Sequence, residues 1–322
     1  PTSTPEAQGM DSRVLANMLQ FAAPSEGIDS ITIVRNGYIV LDAYFHPFEK
    51  DRKHNINSGA KSVTSALIGM AIQQGHISGV DARVLGFFPE INSFDPRGRK
   101  HSMTLEHLLT MTAGLDCRDT RPYRWAGLST MFESSNWTRY ALGLPTKTSP
   151  GRRFEYCNAA SFLLAAILEK ATHTSAIDFA RKNLFDPMGI RDVSWSTSPQ
   201  GIAAGFGYLW MTPHDMAKFG WLYLNKGRWD GRQLLSTEWV DRSTRAHVKA
   251  TKFPHYGYQW WRDSDGYLLA NGARGQYIYI VPEHRLVAVF TADLEPRDTL
   301  TPKLLLNGHV IASIRSDAPL PA

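Results

Sequence analysis

Ser58 and Lys61 stand three residues apart in the stretch Asn57-Ser58-Gly59-Ala60-Lys61-Ser62-Val63-Thr64-Ser65. A serine hydroxyl is a weak nucleophile until a base within hydrogen-bond reach takes its proton, and an amine held neutral can be that base. The two side chains meet only if an element stacks residue i on i+3, as a helix does. Val63, Leu67, Met70 and Ala71 recur at helical spacing, and Gly75 and Gly79 close the segment after Gln74. A helix opening near Ser58 puts the amine one turn above the hydroxyl. It also supplies free backbone N–H groups and a positive dipole end to an oxyanion forming there. Ser-x-x-Lys alone is a short pattern. It equally describes a serine cap followed by a solvated lysine, although the helix dipole disfavours a lysine in a first turn.

Two further stretches carry groups suited to the same chemistry. Pro150-Gly151-Arg152-Arg153-Phe154-Glu155-Tyr156-Cys157-Asn158 sets Tyr156 and Asn158 two apart, just before an apolar helical stretch at 159–171. In extended chain the two side chains point the same way. Tyrosine offers a phenol that gives or takes a proton, and asparagine a carboxamide that orients a lysine or a substrate carbonyl. The plainer alternative makes Asn158 an N-cap and Tyr156 a core ring. Asn271-Gly272-Ala273-Arg274-Gly275-Gln276 precedes the β-rich residues 277–281. Its glycines allow close approach of backbone to a ligand, or else mark a turn or bulge. A backbone N–H in this stretch, with that of Ser58, is then a candidate pair of oxyanion donors. Cys117 and Cys157 are too few for a disulfide-built scaffold. They form one bridge in an oxidising compartment or remain two buried thiols.

The remaining pattern predicts the elements that must position these groups. Residues 11–23 read as an amphipathic helix. Residues 30–34 and 38–45 flank Arg35-Asn36-Gly37, a strong hairpin signal. Residues 85–94 carry a Phe-Pro-Glu break. Residues 104–111 form a short helix capped by Thr104, with His107 where a capping box holds Glu or Gln. Residues 116–135 have no clear period and read as a long loop of the kind that lines a site. Helices follow at 137–144, 159–171 and 176–184. Glycines 201, 205 and 207 mark a glycine-rich strand or loop, and Thr212-Pro213-His214-Asp215 opens a helix over 216–225. Strands are expected at 256–261, 267–270, 276–281 and 286–291, and a closing helix at 301–314. The expected fold is α+β. The N-terminal hairpin and the C-terminal strands share one antiparallel sheet, covered by the first and last helices. Residues 1–70 and 205–322 form the sheet region and 71–204 an inserted helical region, together one catalytic unit with Ser58 in the cleft between them.

Composition narrows the function classes. The chain has 322 residues, 43% hydrophobic and 20% charged, the balance of an ordinary globular protein with ample core. No run of 18 apolar residues predicts a membrane span. The start carries no leader of charged then apolar residues, and Pro1-Thr2-Ser3-Thr4-Pro5 has the composition of a linker left after processing, which leaves the compartment open. The formal charge of +5 is scattered, densest at Arg97-Gly98-Arg99-Lys100-His101, and serves solubility rather than nucleic-acid binding. The 11 histidines include no His-Glu-x-x-His and the cysteines no Cys-x-x-Cys, so neither metal nor cofactor is expected.

Taken in order along nearly the whole chain, these stretches resemble the serine β-lactamase and penicillin-binding-protein superfamily. Within it they resemble the class C β-lactamase-like serine hydrolases, a group of esterases, D-aminopeptidases and 6-aminohexanoate-dimer hydrolases. Ser58-x-x-Lys61 matches the first motif, Tyr156-Cys157-Asn158 the Tyr-x-Asn of class C-like members, and Thr212-Pro213-x-Asp215-Met216-Ala217 and the final Gly-x-x-Gly-Gln strand complete the likeness. The third motif departs. Ala270-Asn271-Gly272 stands where those families carry Lys-Thr-Gly or His-x-Gly, so the cation that grips a substrate carboxylate is missing, and Arg274 is the neighbouring cation that would replace it. The resemblance implies that Ser58 attacks a carbonyl while Lys61 and Tyr156 share the proton. Asn158 positions Lys61 and substrate, and Ala273, with Gly272 beside it, holds the oxyanion. Tyr123, Trp125, Trp260 and Trp261 would shape the pocket. It implies a small-molecule ester, amide or short peptide-like substrate, with work in the periplasm or outside the cell, a cytoplasmic site being also compatible. A β-lactamase or D-Ala-D-Ala carboxypeptidase, and a non-catalytic penicillin-binding-like relative, are the alternatives. Oligomeric state is not legible.

Overall fold

The computed structural model describes residues 1–23, 27–90, 98–120, 122–123, 125–296 and 298–321. The end of the expected 85–94 segment and Arg97 of the basic cluster lie outside the described residues; Val84–Phe87 forms a 3-10 turn.

The chain opens with helix α1 (Ser12–Ala22), capped by Asp11, whose carboxylate accepts the Arg13 N–H. The hairpin β1 (Ile28–Arg35) and β2 (Tyr38–Tyr44) turns at Asn36-Gly37, where both residues have positive φ, the conformation Asn-Gly adopts most readily. A short β3 (His54–Asn55) leads through a 3-10 turn, Asn57–Gly59, into helix α2 (Ala60–Gln73). The helical part then follows: α3 (Leu105–Leu109), α4 (Ala126–Glu133), α5 (Trp137–Gly143), α6 (Asn158–Thr172) and α7 (Ala176–Ala180). Strands β4 (Ser194–Trp195) and β5 (Leu209–Met211) join β3 in a small sheet of order β3-β5-β4. Helix α8 (Pro213–Leu224), the minimal hairpin β6 (Arg228–Trp229) and β7 (Arg232–Gln233), and helix α9 (Thr237–Thr244) precede the last strands. These are β8 (Val248–Lys249), β9 (His255–Tyr256), β10 (Trp261–Arg262), β11 (Leu268–Gly272), β12 (Gln276–Val281) and β13 (Leu286–Ala292). Helix α10 (Thr301–Leu305) continues as irregular helical turns to Ser313.

The main sheet is antiparallel, in the order β2-β1-β13-β12-β11-β10-β9-β8. β13 pairs with β1 from Ile28↔Ala292 to Arg35↔Leu286, so the two ends of the chain share one sheet as expected. α1 packs on the C-terminal turns, where Met10 bridges Ile314. α8 covers β1, β12 and β13 as well. It approaches so closely that a Cβ at Gly220 would lie 2.6 Å from Val287 Cγ1. Helix α3 keeps its capping box with a histidine in the acid's place: His107 Nδ1 accepts the Thr104 N–H at 3.1 Å.

Two expectations are corrected. Residues 116–135 are not one loop, because α4 occupies Ala126–Glu133. Residues 256–261 are not one strand: β9 and β10 pair with each other, Trp261 opposite Tyr256. Aromatic residues made the run look extended. Gly257 and the left-handed Gln259 (φ 62°) turn it, and a Cβ at Gly257 would lie 2.2 Å from the Ser243 carbonyl oxygen. The turned Gln259 is a buried tie: its Nε2 donates to the carbonyls of Leu108 and Leu109, its Oε1 accepts from Ser161 Oγ, and its carbonyl accepts from Ser62 Oγ. One residue, through side chain and backbone together, thus joins α2, α3 and α6 to the turn between β9 and β10.

Candidate active site

Ser58 lies in the 3-10 turn that becomes α2, half-buried, with Asn57 before it in the left-handed region (φ 49°). Asparagine tolerates that conformation better than most residues. The next helical turn carries Lys61 on the same face, its side chain fully buried. Lys61 Nζ is 3.2 Å from Ser58 Oγ. It also donates to Asn158 Oδ1 at 2.7 Å and to the Phe206 carbonyl at 2.9 Å. A neutral amine has two N–H bonds and one lone pair. Two carbonyl oxygens take the N–H bonds, so the lone pair is left for the Ser58 hydroxyl. Burial brings that state within reach at neutral pH: it lowers Lys61 to about 7, with Asp119 pulling the other way.

The glycine-rich 201–208 stretch is a loop over α6. A Cβ at Gly205 (φ 69°) would lie 2.8 Å from Ala165 Cβ and from the Ser161 carbonyl oxygen, so glycine is what lets the loop settle there. Its Gly205 carbonyl accepts Thr64 Oγ1 at 2.7 Å, and the next carbonyl is the one that holds Lys61.

Tyr156 and Asn158 enter from the start of α6. The cap of that helix is Cys157, whose Sγ accepts the Ala160 N–H at 3.3 Å; Asn158 is the first helical residue rather than the cap. Tyr156 is buried, with Lys61 Nζ 4.8 Å above its ring centroid and the Trp261 ring stacked on it at 5.8 Å. Burial holds its phenol well above the ordinary value, only partly offset by hydrogen bonding with Ser58. Tyr156 is therefore a proton donor at neutral pH, not a phenolate.

Asp119 is a member of this network that sequence reading missed. Asn158 donates to Asp119 Oδ2 twice, from its backbone N–H at 2.7 Å and from Nδ2 at 3.0 Å. Fixing Nδ2 on a carboxylate turns Oδ1 toward Lys61. The Leu128 N–H donates to the other oxygen, Oδ1, at 2.9 Å. Burial raises the Asp119 pKa, while the N–H groups of Asn158 and the nearby Lys61 pull it back. Cys117 and Cys157 are joined in a disulfide (Cα–Cα 5.4 Å) that fastens the Asp119 turn to the Tyr156–Asn158 segment. The available signal was that Asp119 and Asn158 each sit next to or near a cysteine of a pair that could bridge.

The third stretch arrives along β11. Gly272 has ordinary φ, yet a Cβ there would lie 2.2 Å from the Ile56 carbonyl oxygen, so the strand end and the turn that carries Ser58 touch backbone to backbone. Asn57 Nδ2 donates to the Ala273 carbonyl at 3.0 Å and locks the contact. Ala273 itself is exposed beside the Ser58 turn. Arg274 does not stand in for the missing motif cation: its guanidinium is paired with Asp293. Among the aromatic residues, Trp125 is half exposed and sets its ring against Tyr156 (6.2 Å between centroids), and Trp261 stacks on Tyr156. Trp260 is core, packed on Tyr223, and Tyr123 lies under Arg118 and Lys147. Among the described residues no group of three His, Cys, Asp or Glu is arranged to hold a metal ion, and no helix is long and apolar enough to cross a membrane.

Comparison with known proteins places this geometry in context. The family model described as Beta-lactamase matches residues 26–307. A 6-aminohexanoate-dimer hydrolase of Paenarthrobacter ureafaciens is 22% identical over 294 residues, 84% of this chain and 74% of that protein. Among solved structures, EstCE1, described as a hydrolase with promiscuous acyltransferase activity, superposes with a TM-score of 0.78 at 17% identity, covering 92% of this chain and 97% of its own. An octameric penicillin-binding protein homologue from Pyrococcus abyssi superposes with a TM-score of 0.72 at 20% identity, covering 96% of this chain and 79% of its own.

Proposed function

We propose, for a chain that belongs to the Beta-lactamase family, that it is a serine hydrolase cleaving a carboxylic ester or amide through an acyl-enzyme on Ser58. The observation that carries this reading is the environment of Lys61: two carbonyl acceptors on its N–H bonds, Ser58 Oγ 3.2 Å away and a pKa near 7. Ser58 Oγ bonds to the substrate carbonyl carbon as its proton passes to Lys61. Tyr156 relays a proton to the leaving oxygen or nitrogen as the scissile bond breaks. Water then attacks the acyl-enzyme, releases the acid and returns a proton to Ser58. Acid–base help of this kind contributes ~10²–10⁴-fold. The N–H groups of Ser58 and Ala273 hold the oxyanion, each donor worth about 3–4 kcal/mol.

On this reading, residues 1–70 and 205–322 supply Ser58, Lys61 and Ala273, and the inserted 71–204 supplies Tyr156, Asn158 and Asp119. The similar proteins described as a 6-aminohexanoate-dimer hydrolase and as a hydrolase with acyltransferase activity support hydrolysis through a transferable acyl group. The Cys117–Cys157 disulfide supports work in an oxidising compartment outside the cytoplasm.

The test is a panel of short-chain aryl esters, amides and a chromogenic cephalosporin, run beside Ser58→Ala. Ester or amide turnover that is lost in Ser58→Ala is expected; turnover unchanged in that variant would end the proposal. The second reading, a β-lactamase or D-Ala-D-Ala carboxypeptidase, is disfavoured by Ala270 and by the engagement of Arg274 with Asp293. Rapid cephalosporin turnover would restore it. Binding without turnover of any member would favour a non-catalytic relative.

A further inference from the structure

The residue before Ser58 is an asparagine in the left-handed region (φ 49°), engaged through both its backbone and its side chain. The Asn57 N–H donates to Asn55 Oδ1 at 3.0 Å, and the Asn57 carbonyl accepts the Ala60 N–H. Its Nδ2 donates to the Ala273 carbonyl at 3.0 Å. A Cβ built on Gly272 would lie 3.1 Å from Asn57 Cβ, so the side chain is packed against the strand end that it ties.

These contacts bear on two backbone N–H groups at once. The carbonyl and N–H of a trans peptide lie in one plane and point opposite ways. The Asn57 carbonyl points to Ala60 at the start of α2, so the Ser58 N–H on the same peptide points away from that helix. The left-handed turn at Asn57 sets the direction of that peptide, and asparagine takes the conformation at lower cost than most side chains. On the strand side, Gly272 rests on the Ile56 carbonyl and the Ala273 carbonyl is held by Asn57. The next residue, Arg274, is again left-handed (φ 63°). Its carbonyl accepts the Leu294 N–H at 2.9 Å and its guanidinium is paired with Asp293. The segment that carries the Ala273 N–H is therefore held on both sides, and Asn57 is the side chain that reaches it from the turn carrying Ser58.

We propose that Asn57 is a positioning residue for the oxyanion site. Its backbone aims the Ser58 N–H and its carboxamide holds Ala273, so one residue keeps the two donors in register. The inference rests on the acyl-enzyme reading above and deepens it.

The test compares 4-nitrophenyl acetate with its thiono analogue, in which sulfur replaces the carbonyl oxygen. The two differ in one atom, the one that the donors face, and sulfur accepts hydrogen bonds poorly. Wild type is expected to show much the higher kcat/KM for the oxygen ester. Asn57→Gly keeps the left-handed turn and removes the carboxamide. It should lower kcat/KM for the oxygen ester on the order of 10- to 100-fold, the scale of a small misplacement at the reacting centre, and that for the thiono ester far less, so the ratio of the two falls. Asn57→Asp, which sets a carboxylate oxygen against the Ala273 carbonyl, should lower the ratio at least as far. Retained thiono ester turnover certifies that each variant is folded. A wild type that does not discriminate the two esters would overturn the inference. So would a wild-type ratio in Asn57→Gly, whether turnover is unchanged or lost equally on both, and the serine hydrolase reading would stand. No Ser58-dependent turnover of the oxygen ester by wild type would instead remove the reading on which the inference rests.

Discussion

At the scale of residues, the site is a line of four polar groups: Ser58, Lys61, Asn158 and Asp119. Each link sets the state of the next. Asp119 fixes which way the Asn158 amide faces, the amide takes one Lys61 N–H, and the lone pair of a neutral Lys61 faces the Ser58 hydroxyl. Asp119 also attracts a proton to Lys61. Replacing Asp119 by Asn removes that attraction, so the ammonium loses its proton more easily and the acid limb of kcat/KM is expected to move to lower pH, with a smaller maximal rate from the loosened amide. A kcat/KM profile of Asp119→Asn whose limb stays put or moves up would show that Asp119 has no electrostatic hold on Lys61. Ser58 with Lys61 and Tyr156 with Asn158 were each legible as a pair from short spacing, and the family resemblance, not spacing, joined the two pairs. Asp119 was not. Its partner is 39 residues away in sequence, across a disulfide whose pairing two cysteines leave open.

At the scale of elements, the site depends on the end of β11 lying against the turn before α2. Gly272 makes that approach possible: a Cβ would sit 2.2 Å from the Ile56 carbonyl oxygen, and backbone on both sides leaves no flexible tip to move. Gly272→Ala is expected to push Ala273 away from Ser58, lowering kcat by more than tenfold at a stability cost of about 1–3 kcal/mol. Steady-state kinetics beside a urea melt would check this, and a variant with unaltered kcat would show that the contact does not set the oxyanion position. The sequence marked this glycine as allowing a close approach. It did not mark the tight turn between β9 and β10, because six residues rich in aromatics carry strand composition whether or not Gly257 and Gln259 bend them.

At the scale of the molecule, the sheet unites both ends of the chain. The site draws on residues from 58 to 273, so it exists only when the whole fold does. The hairpin at Asn36-Gly37 and the β-rich C-terminal runs were enough to foresee the antiparallel sheet, whereas its pairing order came from packing that no local pattern encodes. One covalent tie crosses the site. The Cys117–Cys157 bridge spans a sequence separation of 40, which corresponds to about 4 kcal/mol of chain-entropy stabilisation. The double variant Cys117→Ser/Cys157→Ser is expected to lose several degrees of Tm and, because the bridge holds Asp119 to Asn158, more activity than stability alone accounts for at a temperature where it is fully folded. Full activity in the folded double variant would assign the bridge to stability only.

The most direct measurement is the rate at which a fluorophosphonate labels Ser58 as a function of pH, since it reports attack by Ser58 without the later steps. Below about pH 7 Lys61 is an ammonium and cannot take the serine proton; above it the amine is free. The labelling rate should therefore rise with pH through a midpoint near 7 in the wild type and collapse in Lys61→Ala at every pH. A rate that is flat from pH 5 to 9, or labelling on a residue other than Ser58, would contradict Ser58 activated by a neutral Lys61.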